Sequence, residues 1–226
     1  MPEIWAVYGL SLALLVVLSA ALWRLYSSEP SGPAGQRAFQ EARLDRLMAA
    51  LGRLREARDS KQADPRRHLC EAALEGALSL MGSERGSLML WNETAGNLEI
   101  TASWNVPPEH VSKFKLKPGE GIAGRVFEMG ELLYVPAPAE DPDFKPSDPV
   151  PSAPGGRLPI LSVPLCVRGK PLGVLNVEQT PGAASLAEHN AKLLVLLADE
   201  AAMALENLEL ADDLQSFYLE LVETLA

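Results

Sequence analysis

The segment Lys117–Gly130, KPGEGIAGRVFEMG, is the most informative stretch of this 226-residue chain. Within it, residues 119–126 (GEGIAGRV) fit GxGxxG, the fingerprint of dinucleotide-binding folds, and also GxGxxGxV, the glycine-rich loop of protein kinases. Either match would predict a loop that binds phosphate. The sequence on both sides of the segment tests these two interpretations.

The flanking sequence argues against both phosphate sites. A dinucleotide fold needs a buried apolar strand before the glycines and a full crossover helix after them. Here residues 111–117 alternate lysine with apolar residues, and Gly130 follows Gly124 by only six positions. A kinase would also need VAIK, HRD and DFG motifs, and none occurs in the sequence. We therefore interpret Gly119 and Gly121 as permissive backbone in a tight turn, and Gly124 as the residue that lets a short helix approach the sheet.

Strand patterns surround this segment. Apolar and alternating runs occur at residues 85–91, 97–104, 132–135, 160–167 and 172–178. The first two predict a hairpin with Gly96 in its loop, and the last two predict a second hairpin whose near-continuous apolar character indicates burial on both faces. The proline-rich segment 136–159 predicts a long irregular loop.

Helical patterns precede and follow the strands. Asp64 and Pro65 predict the N-cap and first residue of a helix. Leucines at 44, 47, 51 and 54 have heptad spacing and predict a short amphipathic or coiled-coil helix. Residues 186–226 lack proline and glycine altogether. The first half of that segment is apolar enough to pack on a sheet, whereas residues 206–226 alternate acids with apolar residues, which predicts contact with a partner helix.

Residues 4–23, IWAVYGLSLALLVVLSAALW, contain no charged side chain and are long enough to cross a bilayer as a helix. Only Glu3 precedes them, whereas a cleaved signal peptide has a basic leading region and a shorter apolar stretch. Residues 24–68 carry ten Lys or Arg against six Asp or Glu, and positive flanks stay inside. We therefore expect a single-pass anchor in the inner (cytoplasmic) membrane, with the rest of the chain in the cytoplasm.

The remaining composition narrows the function. The chain has a net charge of −10, and residues 69–226 alone carry −13, so a nucleic-acid surface is not expected there. Cys70 and Cys166 are the only cysteines, which leaves no disulfide framework and no zinc-ligand spacing. Neither a catalytic constellation nor a metal site is predicted.

Several blocks, taken in order, resemble the GAF domain family: KLKPGEGIAGRVFEMGELLYVP, EDPDF, ILSVPLCVRGKPLGVLNVEQ and the helical HNAKLLVLLADEAAMALENLEL. They cover most of residues 65–210. The resemblance implies an α+β, PAS-like fold, with an antiparallel sheet of five or six strands, flanking helices on one face and a small-molecule pocket under the other. It implies a pocket walled by Ser103, Trp104, Ile122, Phe127, Phe144, Ser162 and Val163.

The predicted organisation has four parts. These are a transmembrane anchor (1–26), a linker with a short amphipathic or coiled-coil helix (27–63), a GAF domain (64–210) and a C-terminal signalling-type helix (211–226). The last helix resembles the connector to HD-GYP phosphodiesterase or cyclase domains, which implies a signalling output protein as a partner.

Departures from the family subsets restrict the cofactor, whose identity stays open. Asn176 is followed by Val177, so the cyclic-nucleotide pattern is absent, and no cysteine between Cys70 and Cys166 could attach a bilin. Three hypotheses remain. The first is a non-enzymatic sensory or interaction module that relays ligand or partner binding through the helices of a homodimer. The second is a structural scaffold with a closed pocket, and the third is a free methionine sulfoxide reductase, which would need a reactive thiolate and a resolving cysteine.

Overall fold

The computed structural model describes residues 33–60, 62–107, 111–112, 114–143, 158–179 and 188–225. The chain divides into two compact units, Met1–Ala42 and Arg43–Ala226. The described part of the first unit is helical. The fold set out below is that of the second unit.

The described elements agree closely with the sequence pattern. The helices are α1 (Pro33–Arg58), α2 (Pro65–Met81), α3 (Gly121–Met129) and α4 (Glu188–Leu225), with one 3-10 turn at Pro138–Glu140. The strands are β1 (Gly86–Asn92), β2 (Asn97–Trp104), β3 (Lys115–Leu116), β4 (Leu133–Val135), β5 (Ile160–Val167) and β6 (Lys170–Glu178).

Six strands form one antiparallel sheet in the order β3-β2-β1-β6-β5-β4, which confirms the predicted antiparallel sheet of five or six strands. The turn between β5 and β6 places Arg168 at φ 51° and Gly169 at φ 82°, and two residues with positive φ form the tight turn that suits the twist of a hairpin. The two-residue strand β3 was not predicted, because so short a segment has no period to detect.

Helix α2 begins as its sequence predicts, and it ends at a glycine that the sequence analysis did not single out. The Asp64 carboxylate accepts a hydrogen bond from the backbone N–H of Arg67 at 2.9 Å, and Pro65 occupies the first turn, where its missing N–H costs nothing. At the other end, Gly82 adopts the left-handed conformation that closes many helices.

One face of the sheet, called here the helix face, is covered by α2, α4 and the part of α1 after residue 42. Its apolar core takes sheet residues such as Leu88, Leu161, Val163, Leu175 and Val177. Ala50 of α1 approaches α2 so closely that a Cβ built on Gly76 would lie 2.9 Å from the Ala50 Cβ.

The predicted leucine seam of α1 is divided between this core and the surface. Leu47 and Leu54 are buried in the helix-face core together with Ala50 and Ala57, whereas Leu44 is 54% exposed. Positions 47, 50, 54 and 57 fall on one stripe of a helix because they follow steps of three and four residues. Two of the four leucines therefore pack within the core of their own domain.

The opposite face of the sheet, called here the pocket face, is covered by α3. One apolar cluster joins Met89, Leu98 and Val174 of the sheet to Val126 and Phe127 of α3. A smaller apolar cluster joins Ile122 of α3 to Val135 of β4 and Ile160 of β5.

Among the described helices, none is long and apolar enough to cross a membrane. The predicted span, residues 4–23, lies outside the described residues.

Candidate ligand site

The glycines of the opening segment shape the start of α3. Gly119 has φ 78° and Gly121 has φ 66°, which confirms their predicted role as permissive backbone. The N–H of Gly119 donates to the carbonyl of Gly124 at 2.9 Å, so the turn folds back onto the first turn of the helix. A Cβ on Gly124 would lie 2.3 Å from the carbonyl oxygen of Lys117. The close approach that Gly124 permits is thus to this turn, which corrects the expectation that it faces the sheet.

The N-terminus of α3 is unsuited to a phosphate. The N-cap position is Glu120, and its carboxylate accepts a hydrogen bond from the backbone N–H of Lys117 at 2.9 Å. A phosphate at this helix end would be repelled by the Glu120 carboxylate, which already accepts the hydrogen bond from the Lys117 N–H. The geometry therefore agrees with rejecting both phosphate interpretations.

The pocket face carries a row of four polar residues across four neighbouring strands. Ser87 of β1 is paired with Ser103 of β2 on one side and with Asn176 of β6 on the other, and Asn176 is paired with Ser162 of β5. Directly paired residues of antiparallel strands point to the same face. We call these four residues, in the order Ser103, Ser87, Asn176 and Ser162, the polar row.

Three members of the polar row are joined by hydrogen bonds. The Ser162 hydroxyl donates to Oδ1 of Asn176, and Nδ2 of Asn176 donates to Oγ of Ser87 at 3.3 Å. These bonds fix the orientation of the Asn176 amide. Ser162 is fully buried, whereas Asn176, Ser87 and Ser103 are half-buried. The row therefore runs from a closed end at β5 to a partly accessible end at β2.

Apolar side chains of α3 and the neighbouring strands border the polar row. Ile122 packs against Val135 and Ile160 in the small cluster. Phe127 stacks on Trp91 with ring centroids 5.0 Å apart and planes inclined by 25°. Together they give this face an apolar wall beside a hydrogen-bonding floor, a combination typical of small-molecule sites.

The structure brings together some of the predicted pocket residues and separates others. Ser103 and Ser162 belong to the polar row, and Ile122 and Phe127 lie on α3 above the same face. Trp104, at the end of β2, is 51% exposed. Phe144 lies outside the described residues.

Val163 does not belong with this set. Its side chain is fully buried in the helix-face core, because it follows Ser162 directly and successive side chains of a strand point to opposite faces. The inclusion of both neighbours in one pocket wall was wrong for this geometric reason.

Sequence reasoning missed Ser87 and Asn176 as site residues. A signal for both was present, since each is a polar residue inside an apolar strand: RGSLMLW for Ser87 and LGVLNVE for Asn176. A buried or half-buried polar side chain within such a strand requires a partner. What the sequence could not supply was the register that aligns them.

An ion pair fixes the loop after β4 to α3. Nη2 of Arg125 lies 2.5 Å from Oδ2 of Asp141, and Nε of Arg125 donates to the carbonyl of Gly121 at 3.3 Å. The hydrogen bond from Arg125 holds the pKa of the Asp141 carboxyl below its ordinary value. The pair thus ties residues 138–143 to the helix that borders the polar row.

The two thiols lie away from the polar row. Cys70 is fully buried in the helix-face core, and burial raises its pKa to about 12. Cys166 lies near the end of β5 beside Asp199 of α4, and burial, with that carboxylate, raises its pKa as well. Both are free thiols. Raised pKa values disfavour the thiolate that nucleophilic chemistry requires.

Within the described ranges, no group of three or more His, Cys, Asp or Glu residues is placed to hold a metal ion. The polar row itself offers hydroxyl and amide groups, which suit hydrogen bonding to an organic ligand.

Comparison with known proteins identifies relatives of this fold. A family model described as "GAF domain" matches residues 63–206. The nitrogen fixation protein VnfA of Azotobacter vinelandii is 28% identical over 138 residues, which make up 60% of this chain and 26% of that protein. The chain therefore spans about a quarter of the length of this curated relative.

Two solved structures show the same fold at low sequence identity. The GAF domain of a phosphoenolpyruvate-protein phosphotransferase from Acinetobacter has a TM-score of 0.60 and 21% identity, covering 73% of this chain and 92% of that chain. The free methionine-R-sulfoxide reductase of Neisseria meningitidis, solved with its substrate, has a TM-score of 0.58 and 17% identity, covering 73% of this chain and 91% of that chain. Such identities establish a shared fold and leave activity undecided.

Proposed function

Because the chain belongs to the GAF domain family of sensory modules, we propose that it is a membrane-tethered cytoplasmic sensor that binds a small ligand at the polar row and has no catalytic activity. Binding would change the position of α3 and be relayed through α4 to a signalling output protein. The polar row of four aligned residues is the observation that carries this proposal.

The composition of the row defines the class of ligand. Its groups are three hydroxyls and one amide, all uncharged, and the wall beside them is apolar. A charged ligand held there would lose its hydration without gaining an opposite charge, which is costly. The site therefore favours a small uncharged molecule with hydrogen-bonding groups along one edge and apolar surface on the other.

The membrane tether rests on sequence alone. The uncharged run at residues 4–23 is long enough to span a bilayer, and the basic segment that follows it favours a cytoplasmic domain. Carbonate extraction of cell membranes tests the anchor. In a separate experiment, protease treatment of intact and opened cells tests the cytoplasmic orientation. Release of the full chain by carbonate would overturn the anchor, and digestion in intact cells would overturn the orientation.

Ligand retention provides the direct test of the sensor. We expect the full chain, purified in detergent, to release a co-purified small molecule on denaturation, detected by mass spectrometry. Ser87→Ala and Asn176→Leu should lose most of it, whereas the matched variant Ser79→Ala, on the exposed side of α2, should retain it. Circular dichroism identifies which variants are folded. A folded chain that carries no small molecule, or equal retention in all variants, would overturn the proposal.

A structural scaffold with a closed pocket is a second candidate, because side chains of the protein itself fill part of the pocket face. Phe127 is stacked on Trp91, and Ile122 is buried against Val135 and Ile160. A scaffold predicts that the folded chain purifies without a ligand and that Ser87→Ala has no effect on signalling output. The half-buried end of the polar row is what favours the sensor.

A methionine sulfoxide reductase is disfavoured by the positions of the thiols. Neither Cys70 nor Cys166 belongs to the polar row, and burial raises the pKa of both. We expect no turnover of free methionine sulfoxide by the purified chain with a thiol reductant. Turnover that disappears in Cys166→Ser would replace the sensor with an enzyme.

A further inference from the structure

The hydrogen bonds of the polar row have a direction, and the closed end of the row fixes it. Ser162 is fully buried, and its hydroxyl donates to Oδ1 of Asn176. Within the described part of the chain, this hydroxyl has no second partner. If the Asn176 amide were turned over, Nδ2 would face Ser162 as a donor, and the buried hydroxyl hydrogen would have no acceptor. Since buried donors are rarely left without a partner, Oδ1 is the amide atom that faces β5.

This orientation of Asn176 leaves one of its donors unused. The nitrogen of a side-chain amide carries two hydrogens and only donates. One hydrogen of Nδ2 is donated to Oγ of Ser87 at 3.3 Å. The other has no partner among the residues that the structure describes. Because Asn176 is only half-buried, this second N–H is left for a ligand that accepts a hydrogen bond.

Ser87 continues the same direction toward the accessible end of the row. Its oxygen accepts the bond from Asn176, so its own hydrogen remains available. A hydroxyl that accepts a hydrogen bond becomes a better donor, because the bonds of a chain polarise one another. Within the described ranges, neither Ser87 nor Ser103 donates to another group. The chain of bonds therefore starts at the buried Ser162 hydroxyl and ends in an unused donor at Ser87.

We propose that the polar row binds an uncharged molecule through a carbonyl-type oxygen, as in a ketone, amide or ester, which accepts hydrogen bonds from Asn176 Nδ2 and the Ser87 hydroxyl. This inference rests on the proposed function, because it names the ligand class of the same site. A carbonyl oxygen has two lone pairs and can accept both bonds at once. A ligand that only donates would leave the amide N–H without a partner, which lowers affinity.

Two small uncharged rings of similar size test this direction. Cyclopentanone only accepts hydrogen bonds, whereas pyrrole donates one through its N–H. Saturation-transfer NMR of the full chain in deuterated detergent compares their affinities, with empty micelles as the blank. Prolonged dialysis beforehand removes any co-purified molecule from the site. We expect cyclopentanone to bind about two- to tenfold more tightly than pyrrole, which is the ratio that one hydrogen bond provides.

Substitutions in the row should change this preference in different ways. In Asn176→Asp, a carboxylate accepts from both Ser162 and Ser87, so Ser87 keeps only lone pairs for a ligand and pyrrole should bind more tightly. This measurement is made well above the ordinary pKa of aspartate, so that the new side chain is charged. In Ser87→Ala, the preference for cyclopentanone should fall severalfold, because one of its two donors is gone. Ser79→Ala, on the exposed side of α2, should keep the preference of the unaltered chain.

Circular dichroism identifies the folded variants, and Ser87→Ala decides alone if Asn176→Asp does not fold. Equal or tighter binding of pyrrole by the unaltered chain, binding of neither ring, or an unchanged preference in a folded row variant would overturn the inference. Retention of a co-purified molecule separates this failure from that of the proposed function. A chain that retains such a molecule without preferring cyclopentanone refutes the carbonyl class alone. A folded chain that retains no molecule and binds neither ring refutes the sensor itself.

Discussion

The same strands form both faces of the sheet, but one face packs an apolar core and the other carries the polar row. On the helix face, Leu175 and Val177 of β6 are fully buried in an apolar core. On the pocket face, Asn176 lies between them in sequence and belongs to the polar row. Alternation of side chains lets one strand contribute to stability and to recognition at once.

The difference shows how a sensory domain can tolerate polar groups in its middle layer. The helix-face core buries apolar side chains, and such burial is the main favourable contribution to the free energy of folding. Three members of the polar row hydrogen-bond to one another, so the fully buried Ser162 hydroxyl has a partner. Substitutions on the helix face should therefore cost more stability than substitutions on the pocket face.

Leu175→Ala should have the largest effect, because it opens a cavity in the helix-face core at a fully buried position. We expect a loss of about 2–5 kcal/mol in the free energy of unfolding. Denaturant unfolding of the full chain in detergent measures it. Leu219→Ala, at an exposed position of α4, is the matched control and should change stability little. Equal losses in both variants would contradict the importance of the helix-face core.

Gly124→Ala tests the turn that positions α3 over the pocket face. The new methyl group would meet the Lys117 carbonyl, so the turn must shift, at a cost of roughly 1–3 kcal/mol in unfolding free energy. Gly52→Ala, in α1, is the control because open space surrounds its Cβ.

The control should move in the opposite direction, since alanine in a helix interior is favoured over glycine by about 0.5–1 kcal/mol. Thermal unfolding of the two variants beside the unaltered chain gives both signs. Stabilisation by Gly124→Ala would contradict the close contact between a Cβ at this position and the Lys117 carbonyl oxygen.

Asn176→Ala tests the hydrogen bonds of the polar row. It removes the acceptor of the buried Ser162 hydroxyl, and an unsatisfied buried group costs about 1–3 kcal/mol. Ser162→Ala should partly rescue it, because no buried donor is then left without a partner. A double-mutant cycle measures the coupling. Strict additivity of the two substitutions would mean that the residues act independently and that the row is not a connected unit.

The sequence predicted the elements far better than it predicted the site. Local chemistry was sufficient for the start of α2, where Asp64 and Pro65 mark the first turn. It was also sufficient for the left-handed Gly119 and Gly121, because no other residue adopts that backbone cheaply. Such features depend on residues close in the chain.

The polar row could not be predicted in the same way, because its members are separated by up to 89 residues. Their alignment depends on the registers of three strand pairs, and a shift of one residue would turn each side chain to the other face. The same cause explains the misplacement of Val163 beside Ser162. The leucines of α1 raised a related difficulty, since a heptad pattern does not reveal whether its partner is another chain or the same domain.

The smallest predicted effect concerns the ion pair that ties the loop after β4 to α3. The Arg125 guanidinium lowers the pKa of Asp141, whose ordinary value is 3.8, so the pair stabilises the fold above that pH. This contribution should disappear as the pH falls through the lowered pKa, where the folded carboxyl takes up its proton. At neutral pH, Asp141→Asn should therefore cost about 0.2–1 kcal/mol in unfolding free energy, since the pair is partly exposed.

The gap between Asp141→Asn and the unaltered chain should then close in acid, when both side chains are uncharged. Asp143→Asn is the matched control, because its carboxylate lies 4.0 Å from Arg125 and is mostly exposed. Urea unfolding at a series of pH values measures both differences. A gap that stays constant in acid would show that the amide disturbs packing and that charge is not what holds the loop to the pocket face.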